Sequence, residues 1–202
     1  MHGSQSIENA ADRWSRLAEA VALRELLFNI AVGLIAGAIG AHVRLHMGLS
    51  GHKIVFWLVP VLSARLMWRC PLGATCGATA ATAASFALGG NLAGGVPYMA
   101  LLVLAGGVMD GLVAFTEKHR LSPLLIIPLL TGGGMIANLL CAIKRLLAPV
   151  HNHSMVLGLS GPLATIVSYA IFGLLAGLVG SILGLSAARL VTQRDKKRKS
   201  AS

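Results

Sequence analysis

Between Leu26 and Ala187 the chain repeats one pattern: an apolar run, a short polar break, then another apolar run. The runs fall at about Leu26 to Val43, Ile54 to Trp68, Leu72 to Leu92, Val96 to Phe115, Leu121 to Cys141 and Pro162 to Ala187. A helix needs roughly 20 apolar residues to cross bilayer hydrocarbon. Backbone placed there must satisfy its own hydrogen bonds, which a helix does within one segment. The pattern therefore predicts an all-α membrane protein, a bundle of six transmembrane helices, with little chain left for a soluble domain. Composition agrees, with 55% hydrophobic residues, 12% charged and 24 glycines, and a mean hydropathy of +0.75. The charged share is about half that of a soluble domain.

The breaks set the orientation. Counting Lys and Arg on alternate sides, one side receives Arg13, Arg16, Arg24, Arg65, Arg69, Lys118, Arg120, Arg189, Arg194, Lys196, Lys197, Arg198 and Lys199. The other receives only Arg44, Lys53, Lys144 and Arg145. Cytoplasmic loops carry the excess of Lys and Arg, so both termini are expected in the cytoplasm, with the chain in the cell (inner) membrane. The same distribution accounts for the net charge of +10. Cations that punctuate apolar segments serve topology, and no nucleic-acid partner is implied.

Residues 1–25 hold no signal-peptide core, because Asp12, Arg13, Arg16, Glu19 and Arg24 interrupt each apolar stretch. They do hold a helical period: Ile7, Ala10, Ala11, Trp14, Leu17, Ala18 and Val21 share one face. An amphipathic helix lying at the cytoplasmic interface is expected there, ahead of the six-span domain at 26–187. Residues 188–202, ending QRDKKRKSAS, are expected to form a basic, disordered tail beside anionic lipid.

In the first span Gly33, Gly37 and Ala41 recur at four-residue spacing. Hydrocarbon supplies no hydrophobic drive for helices to associate, so such a stripe marks close packing with another helix. The string GLIAGAIG at 33–40 is echoed by GLLAGLVG at 173–180, and GLSG at 48–51 recurs at 158–161. Common packing needs explain these short matches better than duplication. Cys70, Cys76 and Cys141 lack CxxC spacing and read as packing residues. Arg65 and Asp110 lie at similar depth in the second and fourth spans. Buried charge in a membrane requires a partner, so they are expected to pair, either as structural glue or in gating or docking. Gly132, Gly133 and Gly134, following Pro123 and Pro128, mark a kink, a hinge or a close helix contact.

The loops on the sparsely charged side gather most of the chemistry. His42, His46, His52, His151 and His153 fall there with Arg44, Lys53, Lys144 and Arg145. Asn91 and Asn152 sit in these loops, and Asn138 lies in the adjacent half of the fifth span. Arg and Lys pair with anions and the imidazoles and amides add hydrogen bonds. The set Arg44, His46, His52, Lys53, Asn91, Asn138, Lys144, Arg145, His151 and His153 is thus a candidate site for an anionic organic ligand. The alternative is a metal held by His42, His46, His151 and His153, since His42 and His46 share a helix face. No carboxylate or thiolate lies nearby in sequence to complete a structural zinc site, and the cations oppose one. No cofactor motif, acidic pair or phosphate loop is present. The GxSG strings invite comparison with rhomboid intramembrane proteases, but neither Ser50 nor Ser160 has a histidine base on a later span. No enzyme is expected.

Six short spans, cytoplasmic termini, a small-residue stripe on the first helix and polar outer loops together resemble the substrate-specificity component of energy-coupling factor (ECF) transporters. The resemblance covers residues 26–187 and lies in the overall pattern. It implies uptake of a vitamin-like micronutrient bound at the outer face, with Gly33, Gly37 and Ala41 meeting a transmembrane coupling subunit that carries separate ATPases. The metal-specific branch fits less well, because Met1 and His2 are assigned to the cytoplasm. The competing expectations are a transition-metal or metal-cofactor uptake protein, a free-standing permease or channel, and a membrane scaffold without a ligand.

Overall fold

The computed structural model describes the backbone of residues 3–43, 51–90, 99–147 and 161–200, with side chains for 22–43, 51–90, 99–144 and 161–194. The described residues form six helices and no strand: α1 Gly3–His42, α2 Ile54–Trp68, α3 Gly73–Ala87, α4 Met99–Lys118, α5 Pro123–Leu147 and α6 Gly161–Ser200. Four segments are long and apolar enough to cross a membrane: Ala22–His42, Met99–Lys118, Pro123–Lys144 and Gly161–Arg194. The remaining two helices, α2 and α3, have 15 residues each. At 1.5 Å per residue each spans about 22 Å, less than the roughly 30 Å of bilayer hydrocarbon.

Helix ends follow local chemistry. α2 stops where Arg69 turns left-handed at φ 48° and its N–H donates to Arg65 O at 3.0 Å, with Pro71 following. Pro123 opens α5, where its missing N–H costs nothing, and Ser122 O accepts from Leu125 and Ile126 at 2.9 and 3.0 Å. Two expected boundaries are corrected. α1 runs unbroken from Gly3 to His42, so residues 3–25 continue the helix that holds the first span rather than forming a separate interfacial helix. No Gly or Pro lies between Ser4 and Val32 to end it. Likewise α6 continues to Ser200; residues 188–200, expected as a disordered tail, are helical. That stretch too lacks Gly and Pro.

The helices alternate in direction, and close backbone approaches set their neighbours. α1 and α3 run parallel: a Cβ on Gly33 would strike the Gly77 backbone and one on Gly37 that of Ala81. α5 and α6 run antiparallel, with a Cβ on Gly173 falling 2.6 Å from Gly134 O. The same residue type lets α6 lie along α2, where Gly184 faces Ser63 and Leu66. α5 continues unbroken through Gly132 to Gly134, with Gly134 against Gly173 and Gly177. Close contact, rather than interruption, is the use made of that run.

α2 is the centre of this arrangement. Its Leu58, Val61, Leu62 and Arg65 are fully buried, packed with Ala74, Ala78, Leu102, Met109, Leu130 and Ala176 from the helices around it. Outward-facing positions are apolar: Leu27, Ile35, Leu104, Leu124 and Leu175 are all exposed. The interior is largely apolar with a few polar residues, and large apolar residues also cover the outside, unlike the surface of a water-soluble domain. Lipid is the solvent that fits.

Candidate functional site

Two polar centres lie at opposite ends of the bundle. The first is buried and joins α2, α3 and α4. Asp110 Oδ1 accepts from Arg65 Nε at 3.1 Å and from the Ala74 N–H at 3.0 Å. Its Oδ2 accepts from the Thr75 N–H at 2.8 Å and the Thr75 hydroxyl at 2.7 Å. The first turn of a helix presents amides with no partner in the helix, and Leu72, which precedes α3, supplies no side-chain cap. Asp110 of α4 supplies it instead. The partial positive charge of the α3 terminus and the guanidinium thus converge on one carboxyl group.

Arg65 also reaches Glu117, with Nη1 donating to Oε1 at 3.2 Å and Nη2 to Oε2 at 3.4 Å. Glu117 lies seven residues after Asp110, on the same face of α4. Its side chain is 43% exposed while that of Arg65 is 1% exposed, so the network leads from the interior toward the end of the bundle that holds Trp68 and Lys118. Beside it, Asn29 is fully buried; its Nδ2 donates to Glu25 O at 2.9 Å, and its Oδ1 has no donor among the described residues.

The second centre lies at the His42 end. Asn138 of α5 donates through Nδ2 to Tyr169 O on α6 at 2.7 Å and to Gly51 O at 3.3 Å. One buried amide thus ties the turn before α2 to two helices. Gly51 needs to be glycine: its φ is +83°, and a Cβ there would lie 2.9 Å from Tyr169 Cγ. The turn presents His52, whose ring meets Phe172 edge-on at 6.2 Å, and Lys53, which precedes α2. Lys144 stands on α5 two turns beyond Asn138, at the same end, half-buried. His42 is exposed at the end of α1, with Nδ1 2.9 Å from Ala38 O.

Of the residues expected to bind a ligand, Asn138, His52, Lys53 and Lys144 are thus placed at one end. Arg44, His46, Asn91, His151 and His153 lie outside the described residues, as does the side chain of Arg145. The metal alternative rests on three of these and His42; among the described residues no three of His, Cys, Asp and Glu come together as a metal site. Gly33, Gly37 and Ala41, expected to meet a coupling subunit, already have close neighbours within the chain. Gly33 and Gly37 are covered by α3 of the same chain, and Ala41 lies against Gly90, whose added Cβ would fall 2.5 Å from the Ala41 Cβ. A coupling subunit would have to displace α3 to reach the stripe.

Sequence reasoning did not single out Glu117, Thr75, Tyr169 or Phe172. Glu117 had a signal in its seven-residue spacing from Asp110. Thr75 had one in its place in the first turn of a helix whose preceding residue is apolar. No protein-family model, curated protein or solved structure matches the chain.

Proposed function

We propose that the chain is a membrane-embedded binding component for uptake of a small anionic organic solute of the micronutrient class. In this reading α2 and α3 complete six crossings, both termini face the cytoplasm, and a separate ATP-hydrolysing complex supplies the energy through a coupling subunit. That subunit meets a face other than the Gly33 and Gly37 stripe.

The observation that carries the reading is the unequal chemistry of the two ends. Toward the Trp68 end, Asp110 already takes four donors and Arg65 is held between two carboxylates. The buried charges of that half are paired with one another, which counts against a continuous polar path and hence against a channel. At the His42 end, Asn138 holds a turn carrying His52 and Lys53, and Lys144 lies further along α5 toward the same end. Cations and an imidazole gathered at one end suit a carboxylate or phosphate ester.

The test is chemical. Protein purified in mild detergent is extracted, its small molecules are identified by mass spectrometry, and binding of the recovered compound is measured by calorimetry. An anionic compound at one per chain, bound at least tenfold more weakly by K53A/K144A, is the expected result. An extract no different from that of the double variant would defeat the proposal. Stoichiometric transition metal on elemental analysis would transfer the assignment to the metal-uptake alternative.

A further inference from the structure

We propose that the corner between α1 and the α2–α3 turn is a discrete binding site for one anionic phospholipid. It rests on the chain being set in a bilayer and is independent of the solute it carries. The guanidinium of Arg24 lies over the indole of Trp68, 5.2 Å from its centroid, and the Phe28 ring packs 5.4 Å from the same indole. Arg69, next to Trp68, is exposed and held left-handed at φ 48°. One guanidinium is therefore held on the indole by stacking, and a second arginine, exposed, follows Trp68 directly in the chain.

Their depth fits a headgroup. Arg24 is the last cation before the apolar run that starts at Leu26, a position where Trp and Arg commonly mark the membrane interface. About one turn deeper the surface becomes apolar: Leu27 is 55% exposed and Phe28 36%, and Leu72 across the corner is 60% exposed. A phosphate at the two arginines would lay its acyl chains along Leu27, Phe28 and Leu72. A soluble anion would leave that apolar surface uncovered. The Trp68 Nε1–H is a buried donor with no acceptor among the described residues. Such a donor costs free energy until an acceptor reaches it, which a lipid phosphate or ester oxygen would supply.

The experiment uses the full chain, delipidated in non-ionic detergent and titrated with phosphatidylglycerol or phosphatidylcholine of identical acyl chains, with bound lipid counted by native mass spectrometry. One phosphatidylglycerol should be retained, with phosphatidylcholine at least tenfold weaker. R24Q/R69N should weaken phosphatidylglycerol about thirtyfold, since each basic residue near an anionic surface contributes roughly fivefold. R189Q/R194Q, exposed cations at the same end, should leave it unchanged. Should the double variant fold poorly, R69N alone, which suits the left-handed backbone, should cost about fivefold. Equal binding of both lipids, equal losses in the two double variants, or displacement by millimolar inorganic phosphate would each overturn the site.

Discussion

Arg65 and Asp110, 45 residues apart, share a hydrogen bond of 3.1 Å with only 1% and 6% of their side chains exposed. The same carboxylate closes the first turn of α3. A single residue of α4 therefore fixes where α2 and α3 stand, and charge rather than apolar area sets their relation at this end.

Removing Asp110 leaves the buried Arg65 guanidinium only the partly exposed Glu117 as a partner and strips the α3 amides of their acceptor; breaking a buried pair costs up to about 3–5 kcal/mol. Asp110→Ala should accordingly show the largest loss of folded protein in detergent, read as thermal unfolding by size-exclusion chromatography. Asp110→Asn retains an acceptor for the α3 amides and should fall between. Pairing it with Arg65→Met removes both charges and should recover part of the loss. An Asp110→Ala protein as stable as wild type would mean that the network holds nothing in place.

The stripe on α1 permits a contrast between glycines. Gly37→Leu places a side chain on the Ala81 backbone and should separate α1 from α3, with loss of folded protein. Gly111 has nothing within 4 Å of an added Cβ, so Gly111→Ala should be neutral or stabilising by up to about 1 kcal/mol. A Gly37→Leu protein that folds normally and loses only a binding partner would return the stripe to a docking role.

Two short helices leave two arrangements for the α2–α3 pair: a full crossing each, or a hairpin whose turn stays within the membrane. With Cys70, Cys76 and Cys141 replaced by Ala, Leu72→Cys reports on that turn. Six crossings predict labelling by a membrane-impermeant maleimide from the side that bears the termini. Labelling only after detergent addition would favour the hairpin. Tags at both termini, probed in sealed and opened vesicles, should respond together.

Asn138→Leu should loosen the opposite end by about 1–3 kcal/mol, the usual cost of removing a partner from buried polar groups. Its signature is faster hydrogen exchange in the turn at 51–53, with the Arg65 network unaffected. Gly51→Ala should act similarly through its positive φ and the crowding against Tyr169. Unchanged exchange in both variants would show that Asn138 does not anchor the turn.

Much of the fold was legible along the chain. Apolar runs located the six helices of the described residues, though not the start of α1 or the end of α6, because one-dimensional hydropathy and the period of a helix require no knowledge of neighbours. Arg65 and Asp110 could be matched by depth alone, since topology assigns each residue a level in the bundle. The extension of α1 back to Gly3 and of α6 on to Ser200 is not legible in the same way, because charge and amphipathicity suggest location, whereas continuity depends on the absence of a helix breaker.

What a stripe of small residues packs against is a different kind of question. Gly33 and Gly37 announce a close neighbour, but α3 and a separate subunit would satisfy the same spacing equally. Likewise a carboxylate in α4 carries no mark that it will serve as the missing cap of α3. By itself the chain determined its solvent, its helices and the level of its charges, each set by residues acting through their own local chemistry. Which helix meets which, and whose side chain completes whose terminus, was decided only in three dimensions, where residues distant in sequence compete for the same unsatisfied groups.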